Sequence, residues 1–245
     1  MAKRTPEGPP PPPAVQKLRL RYAKRGRLRF TSHRDIARAF ERALRRAAVP
    51  VAFSAGFSPH PKISYVGAAP TGVASEAEYL ELALSAPVDV ERLRAALDAS
   101  LPPGLDILEC VQVRPGTGGL AERVDASAWR VELPGITASE LVAAVRAFLA
   151  EEHVEVERLT KDGRRLLDAR GPVISASASA AGPGEACAIL ELVVRQVTPA
   201  VRPDDVLAAL VTVRPDLVLP EPAVLTRLAQ GVLDPATGLV ADPRG

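Results

Sequence analysis

The sequence predicts an α+β fold, and three observations predict it. Short segments with alternating apolar residues are separated by turn residues. Amphipathic stretches with capping residues at their starts fall between them. The succession strand, helix, strand, strand, helix, strand is legible once in the first half and again in outline in the second.

The first alternating segment runs from Lys17 to Phe30. Leu18, Leu20 and Tyr22 point one way and Lys17, Arg19 and Arg21 the other; past a turn at Arg25-Gly26, Leu28 and Phe30 resume the apolar side. This is the pattern of a strand or a bent hairpin. Ser32 followed three residues later by Asp35 is an N-cap signature, so a helix is expected from His33 to about Ala48. Ile36, Phe40 and Leu44 form its buried stripe, and Arg34, Arg38, Arg42 and Arg45 occupy a separate face. Pro50 ends the helix and a strand is expected over Val51 to Ser54. A loop, Ala55 to Lys62, then leads into Ile63 to Val66. Glu78 to Leu84 alternates as a strand; Val90 to Ala99 reads as a helix capped by Asp89 and closed by Pro102-Pro103-Gly104; Leu105 to Val113 is the next strand. In order these make β-α-β-β-α-β, the split βαβ of the ferredoxin-like fold.

After a Gly-rich break, Pro115 to Gly119, the order recurs. Strands are expected over Trp129 to Leu133, Val154 to Leu159, Val173 to Ser177 and Ala188 to Val194, with Leu217 to Leu219 closing the sheet. Helices are expected over Ala138 to Ala150 and Pro203 to Val211. No residue-level repeat accompanies the repeated order. The chain therefore divides into a Pro-rich tail (1–14), a ferredoxin-like domain (15–114), a linker (115–126), a second α+β domain read as ferredoxin-like (127–230) and a loose tail (231–245).

A chain of 245 residues with 47% hydrophobic and 24% charged residues has ordinary globular composition and length for one large domain or two small ones. No stretch approaches the ~20 apolar residues of a membrane span, and the N-terminus lacks the apolar core of a signal peptide. A soluble, cytoplasmic protein is expected, with no membrane partner. Cys110 and Cys187 are too few for a disulfide framework or for a self-contained iron–sulfur cluster. The net charge of +2 conceals a polarity: residues 1–50 carry 14 Lys and Arg against three acids, a net +11, and the rest carries −9. A basic face of that kind favours phosphate backbones or an acidic protein surface; the plainer alternative is a solvated face in an Arg-rich protein.

Candidates for chemistry are few. His33 stands at a helix N-terminus, where the macrodipole disfavours its protonation and free N–H groups attract anions. His60 lies between Pro59 and Pro61, which fix its backbone and suit a binding or proton-transfer group. Both are candidate catalytic residues; the alternative is a turn cap and a helix-start neighbour. His153, between acids, reads as a surface residue. No metal is expected, because no close Cys pair or His-x-x-x-His exists, although His33, His60 and an acid such as Asp35 could be assembled by folding. No cofactor is expected, and phosphate-loop and nucleophile-elbow motifs are absent. Asp35 could orient either imidazole, Phe57 could anchor the loop by burial, and Lys62 could stabilise developing charge. One composite site of His33, Asp35, His60 and Lys62 follows if the Gly56 to Lys62 loop folds back on the helix start.

Three stretches together resemble a known bacterial family: Arg29-Phe30-Thr31-Ser32-His33-Arg34-Asp35, then Arg42-Ala43-Leu44-Arg45-Arg46-Ala47, then Ser54-Ala55-Gly56-Phe57-Ser58-Pro59-His60-Pro61-Lys62-Ile63-Ser64. The resemblance is to the radical SAM-linked family of unknown function, and Gly72, Ser75-Glu76 and Glu78 fit it as well. Arg34 stands where an apolar residue is more usual. The family's members stand alone or follow a radical SAM protein, so the resemblance implies a separately encoded radical SAM enzyme as partner. This chain lacks the three clustered cysteines such an enzyme needs and is expected to be its accessory, binding substrate or docking. The basic N-terminal half, with Arg34, Arg38, Arg42, Arg45, Asp35, Phe57 and Lys62 as binding residues, points to structured RNA. The alternatives are a metal-independent endoribonuclease using His33 and His60, reminiscent of CRISPR-repeat-processing enzymes but without their C-terminal Gly-rich loop, and a protein-only docking module.

Overall fold

The computed structural model describes residues 11–160, 163–182, 187–219 and 222–244. The expected Pro-rich tail lies outside the described residues as far as residue 10. The chain forms two compact units that divide between Ala121 and Glu122, with Arg244 belonging to the first. Each is an α+β unit with two helices and an antiparallel sheet.

The first unit contains β1 (Gln16–Lys24), a 3-10 turn (Gly26–Phe30), α1 (His33–Arg46), β2 (Ile63–Val66), β3 (Ala74–Leu84), α2 (Val90–Asp98) and β4 (Leu105–Gln112). Its strands lie in the order β4-β1-β3-β2, each antiparallel to its neighbour. One face of this sheet carries Leu18, Leu20 and Tyr22 of β1 beside Leu80, Leu82 and Leu84 of β3, and packs on Ile36, Phe40 and Leu44 of α1 and Leu93 and Leu97 of α2. Tyr22 meets Phe40 edge to face at 4.8 Å. Each such aliphatic side chain taken fully out of water contributes roughly 1.5–3 kcal/mol.

The opposite face is charged and buried at its centre, with Lys17 and Arg21 at its margins reaching solvent. Arg19 is 1% exposed, ion-pairs Glu81 at 3.5 Å, and donates to the Gly118 carbonyl. Glu81 also accepts from the Leu120 amide at 2.7 Å, so the segment after β4 lies across this face.

Several local expectations needed correction. The strand from Lys17 stops at Lys24, because Gly26 turns at φ +55° and winds the chain into the 3-10 turn. The strand expected over Val51 to Ser54 makes only two isolated bridges, Val51 to Leu84 and Phe53 to Pro61. Leu84 is the last residue of β3, so no ladder remains for it to extend.

The second unit contains β5 (Ala126–Pro134), α3 (Ala138–Ala150), β6 (Glu155–Thr160), β7 (Gly163–Asp168), β8 (Val173–Ala180), β9 (Cys187–Arg195), α4 (Pro203–Val213), β10 (Val224–Leu233) and β11 (Val240–Ala241). The sheet order is β10-β5-β9-β8, again antiparallel, while β6 and β7 form a separate hairpin. Thr137 and Glu140 close a reciprocal capping box at the start of α3. The closing strand is β10, not Leu217 to Leu219, where Leu217 is buried and Val218 points to solvent outside any strand. The segment from residue 231, expected to be loose, completes β10 and returns to pair with it through β11.

Candidate functional site

Helix α1 is the axis of the site. Its start is made by Ser32, whose hydroxyl accepts from the Asp35 amide at 3.2 Å and donates to the Asp35 carboxylate at 2.7 Å. Its apolar stripe faces the sheet, so the four arginines spaced around the other side stand in solvent. Arg38 meets Asp35 at 3.5 Å and Arg45 meets Glu41 at 3.7 Å. Among the described residues neither Arg34 nor Arg42 has an ion-pair partner. Exposed pairs of this sort hold their partners weakly. The face stays cationic.

The start of α1 is held from behind by the Gly72, Ser75 and Glu78 motif. The Gly72 amide donates to the Arg29 carbonyl at 2.7 Å. Glu78, buried, accepts from the Ala69 amide at 3.1 Å. The Lys24 ammonium, buried as well, donates to the carbonyls of Ala69 at 3.1 Å and Pro70 at 2.9 Å. Two buried charges thus clasp one loop, residues 67–73, against the 3-10 turn that delivers α1. This motif positions the helix.

Beyond α1 the chain makes a hairpin whose neck is tied twice. The Ser54 amide donates to the His60 carbonyl at 2.9 Å, and the His60 amide donates to Ser54 Oγ at 3.0 Å. The tip is exposed throughout, with Gly56 at φ +131°. Phe57 does not anchor the loop by burial; it is 70% exposed, as part of a tip that is exposed from Ala55 to His60. Lys62 is exposed and its amide donates to the Ala52 carbonyl.

His60 lines a cleft of about 360 Å³. Phe53, Pro59 and Pro61 of the hairpin wall it on one side and Leu44, Val49 and Val51 on the other, with Glu41 and Arg45 of α1 as its remaining polar groups. His33 is elsewhere. Its ring stands edge to face with Tyr65 at 5.0 Å, and Tyr65 in turn contacts Phe40 at 6.1 Å. The Tyr65 hydroxyl is buried with no hydrogen-bond partner among the described residues. Burial, reinforced by the Glu41 carboxylate, pushes that phenol well above its ordinary range.

The composite site of His33, Asp35, His60 and Lys62 is therefore not assembled. β2 returns alongside α1 in the opposite direction, so the hairpin that precedes β2 meets the helix end and Tyr65 meets its start. From His33 to Glu41 alone the helix rises about 12 Å, at 1.5 Å per residue. Asp35 serves the helix cap rather than an imidazole. Glu41 and Phe53 were not singled out by the sequence, although Pro59-His60-Pro61 returning just after a helix end was the available signal.

Elsewhere, Cys110 belongs to the hydrophobic core, and that burial pushes its thiol up to about 12. Among the described residues no group of three or more His, Cys, Asp or Glu could hold a metal ion, and no helix is long and apolar enough to cross a membrane. A search of curated proteins finds no match. Residues 17–203, which include α1, the hairpin, the clasped loop and most of the second unit, match the family DUF2344, described as uncharacterized protein conserved in bacteria, and the chain belongs to that family.

Proposed function

We propose that this protein is an accessory binding module that holds structured RNA on the arginine face of α1 for a separately encoded radical SAM enzyme in the cytoplasm. The observation that carries the reading is the row Arg34, Arg38, Arg42 and Arg45, exposed and only partly matched by acids. Steps of four, four and three residues set neighbouring arginine stems about 6, 6 and 4.5 Å apart along the axis, a row that suits a row of phosphates. Phe30, just before α1, and Phe57, at the tip of the hairpin that follows it, are both exposed. The helix-free sheet face is not the binding surface in this reading, since Arg19 and Glu81 are buried there. The radical SAM partner rests on the resemblance of the Ser32-His33-Arg34-Asp35 and Phe57 to Pro61 motifs.

We read both units as ferredoxin-like. What supports this is the order shared by the two sheets, fourth strand, first, third, second, with the β6–β7 hairpin as an insertion in the second. The endoribonuclease reading has less support, because His33 and His60 lie at opposite ends of α1.

The test replaces Arg34, Arg38, Arg42 and Arg45 together by Gln. Thermal stability is expected to stay nearly unchanged, since none of the four faces the core. RNA affinity falls, and the slope of log K against log salt becomes shallower by up to about 0.7–0.9 for each phosphate the protein no longer neutralises. An unchanged slope overturns the RNA reading. Loss of binding to the partner enzyme, with RNA binding intact, selects a protein-only docking module instead.

A further inference from the structure

From the cleft beside α1 we infer a pocket for one guanine nucleotide unit, presented by an unpaired residue of the bound RNA or by a free nucleotide. The inference deepens the RNA reading and rests on it for the first of those two sources. The cleft, about 360 Å³, falls in the size range of small-molecule sites and would take one base with its sugar and phosphate. Its walls are the right kind: Phe53 offers an aromatic ring that is only half covered, and Pro59 and Pro61 bracket it with flat, rigid rings. Every base has a face that stacks on such a wall, so the walls give affinity without choice.

Choice comes from Glu41. An ionised carboxylate only accepts hydrogen bonds. Guanine places the N1–H and the 2-amino group side by side on one edge, and a carboxylate takes both at once. Adenine and cytosine each set a lone pair beside their amino group, and uracil sets its single N–H between two carbonyls. All three therefore bring at least one acceptor against the Glu41 oxygens.

The phosphate falls to Arg45 and His60. Arg45 meets Glu41 at 3.7 Å, an ion pair without a short hydrogen bond, and the arginine is largely exposed. It can swing to a phosphate and release both Glu41 oxygens to the base. His60 is held for the same task by its tied backbone, with the imidazole free to donate. A cationic ligand such as an arginine side chain, which also carries adjacent N–H donors, would be repelled by Arg45. Arg42, one turn before Arg45 on the same helix, leads from the cleft onto the arginine row.

Four RNA hairpins that differ only in one unpaired nucleotide, and a fifth fully paired, test this with the whole chain by fluorescence polarisation. The unpaired G should bind about tenfold more tightly than A, C or U, the discrimination typical of one bidentate pairing. Glu41→Gln should abolish that preference and leave the fully paired RNA bound as before, with a melting curve confirming the fold. Equal affinity for all five RNAs overturns the pocket and leaves the RNA reading standing. If no RNA binds, the RNA reading falls, and a 5′-GMP titration followed by NMR decides the cleft alone. Binding of GMP over AMP that Glu41→Gln removes keeps it as a free-nucleotide site; no GMP binding ends it.

Discussion

Ala48 sits just past the end of α1 with φ +49°, in the left-handed region that glycine usually fills. That turn leads the chain from the helix end into Val49 and Val51, which line the cleft. An alanine there costs roughly 1 kcal/mol relative to a residue without a Cβ, offset in part by the entropy glycine adds to the unfolded chain. Ala48→Gly should therefore raise stability by about 0.5 kcal/mol, read as a higher denaturant midpoint at constant slope. Asp168 supplies a pH dependence at the same scale. Partial burial pushes its carboxyl up, but the amides of Val154, Arg170 and Gly171, with His153 beside them, outweigh this and hold it below the ordinary 3.8. A carboxyl lowered on folding stabilises the fold fully above its unfolded value and loses that contribution as pH falls through the folded one. Stability should thus decline below about pH 4, and Asp168→Asn should flatten this part of the acid limb. Parallel pH profiles for the two proteins would show that the carboxylate has no such role.

At the scale of elements, α1 separates a buried apolar face from an exposed arginine face. Phe40 is buried between Tyr22 and Tyr65, so Phe40→Ala should cost about 3–5 kcal/mol and shift the thermal midpoint, in contrast to the arginine replacements. A loss below about 1 kcal/mol, the size of a surface substitution, would mean that the helix is not seated as described. Both faces were legible in the sequence because the period of 3.6 leaves little freedom: Ile36, Phe40 and Leu44 can share only one side. The direction of the following hairpin was not legible. Which end of a helix a loop meets depends on strand order, and four residues of β2 carry no signal of their own position in a sheet. The candidate site shows the same division. His60 and Arg45 were singled out for their residue types, whereas Glu41 and Phe53 acquire a role only through the fold.

Across the whole molecule the two units repeat an order of elements without repeating residues. That order was readable because turn and capping signals mark each segment, as at Thr137 and Asp89. What escaped was β10, whose buried Arg227 and Gln230 break the alternation that marks a strand, and β7, whose exposed Gly163 to Leu166 reads as a loop. β10 is held in extended form by β5, a partner about a hundred residues away in the chain, and β7 by its hairpin neighbour β6. The charge polarity lies on a different footing. A net of +11 in the first 50 residues is a property of sequence alone, but its meaning depends on which arginines the fold uses internally. Arg19 is buried against Glu81, and Arg25, though exposed, is paired with Glu76 and Asp106; the α1 row is the longest regular run of arginines that faces outward.

The Lys24 ammonium has a further consequence for experiment. Its amine is sealed beneath residues 67–73, whereas that of Lys62 is open to solvent. An acylating reagent therefore modifies Lys62 at once and Lys24 only when the loop lifts. The rate at which Lys24 reacts is a clock for that opening, and a ligand seated on α1 would slow it only if the helix start and its backing loop breathe together.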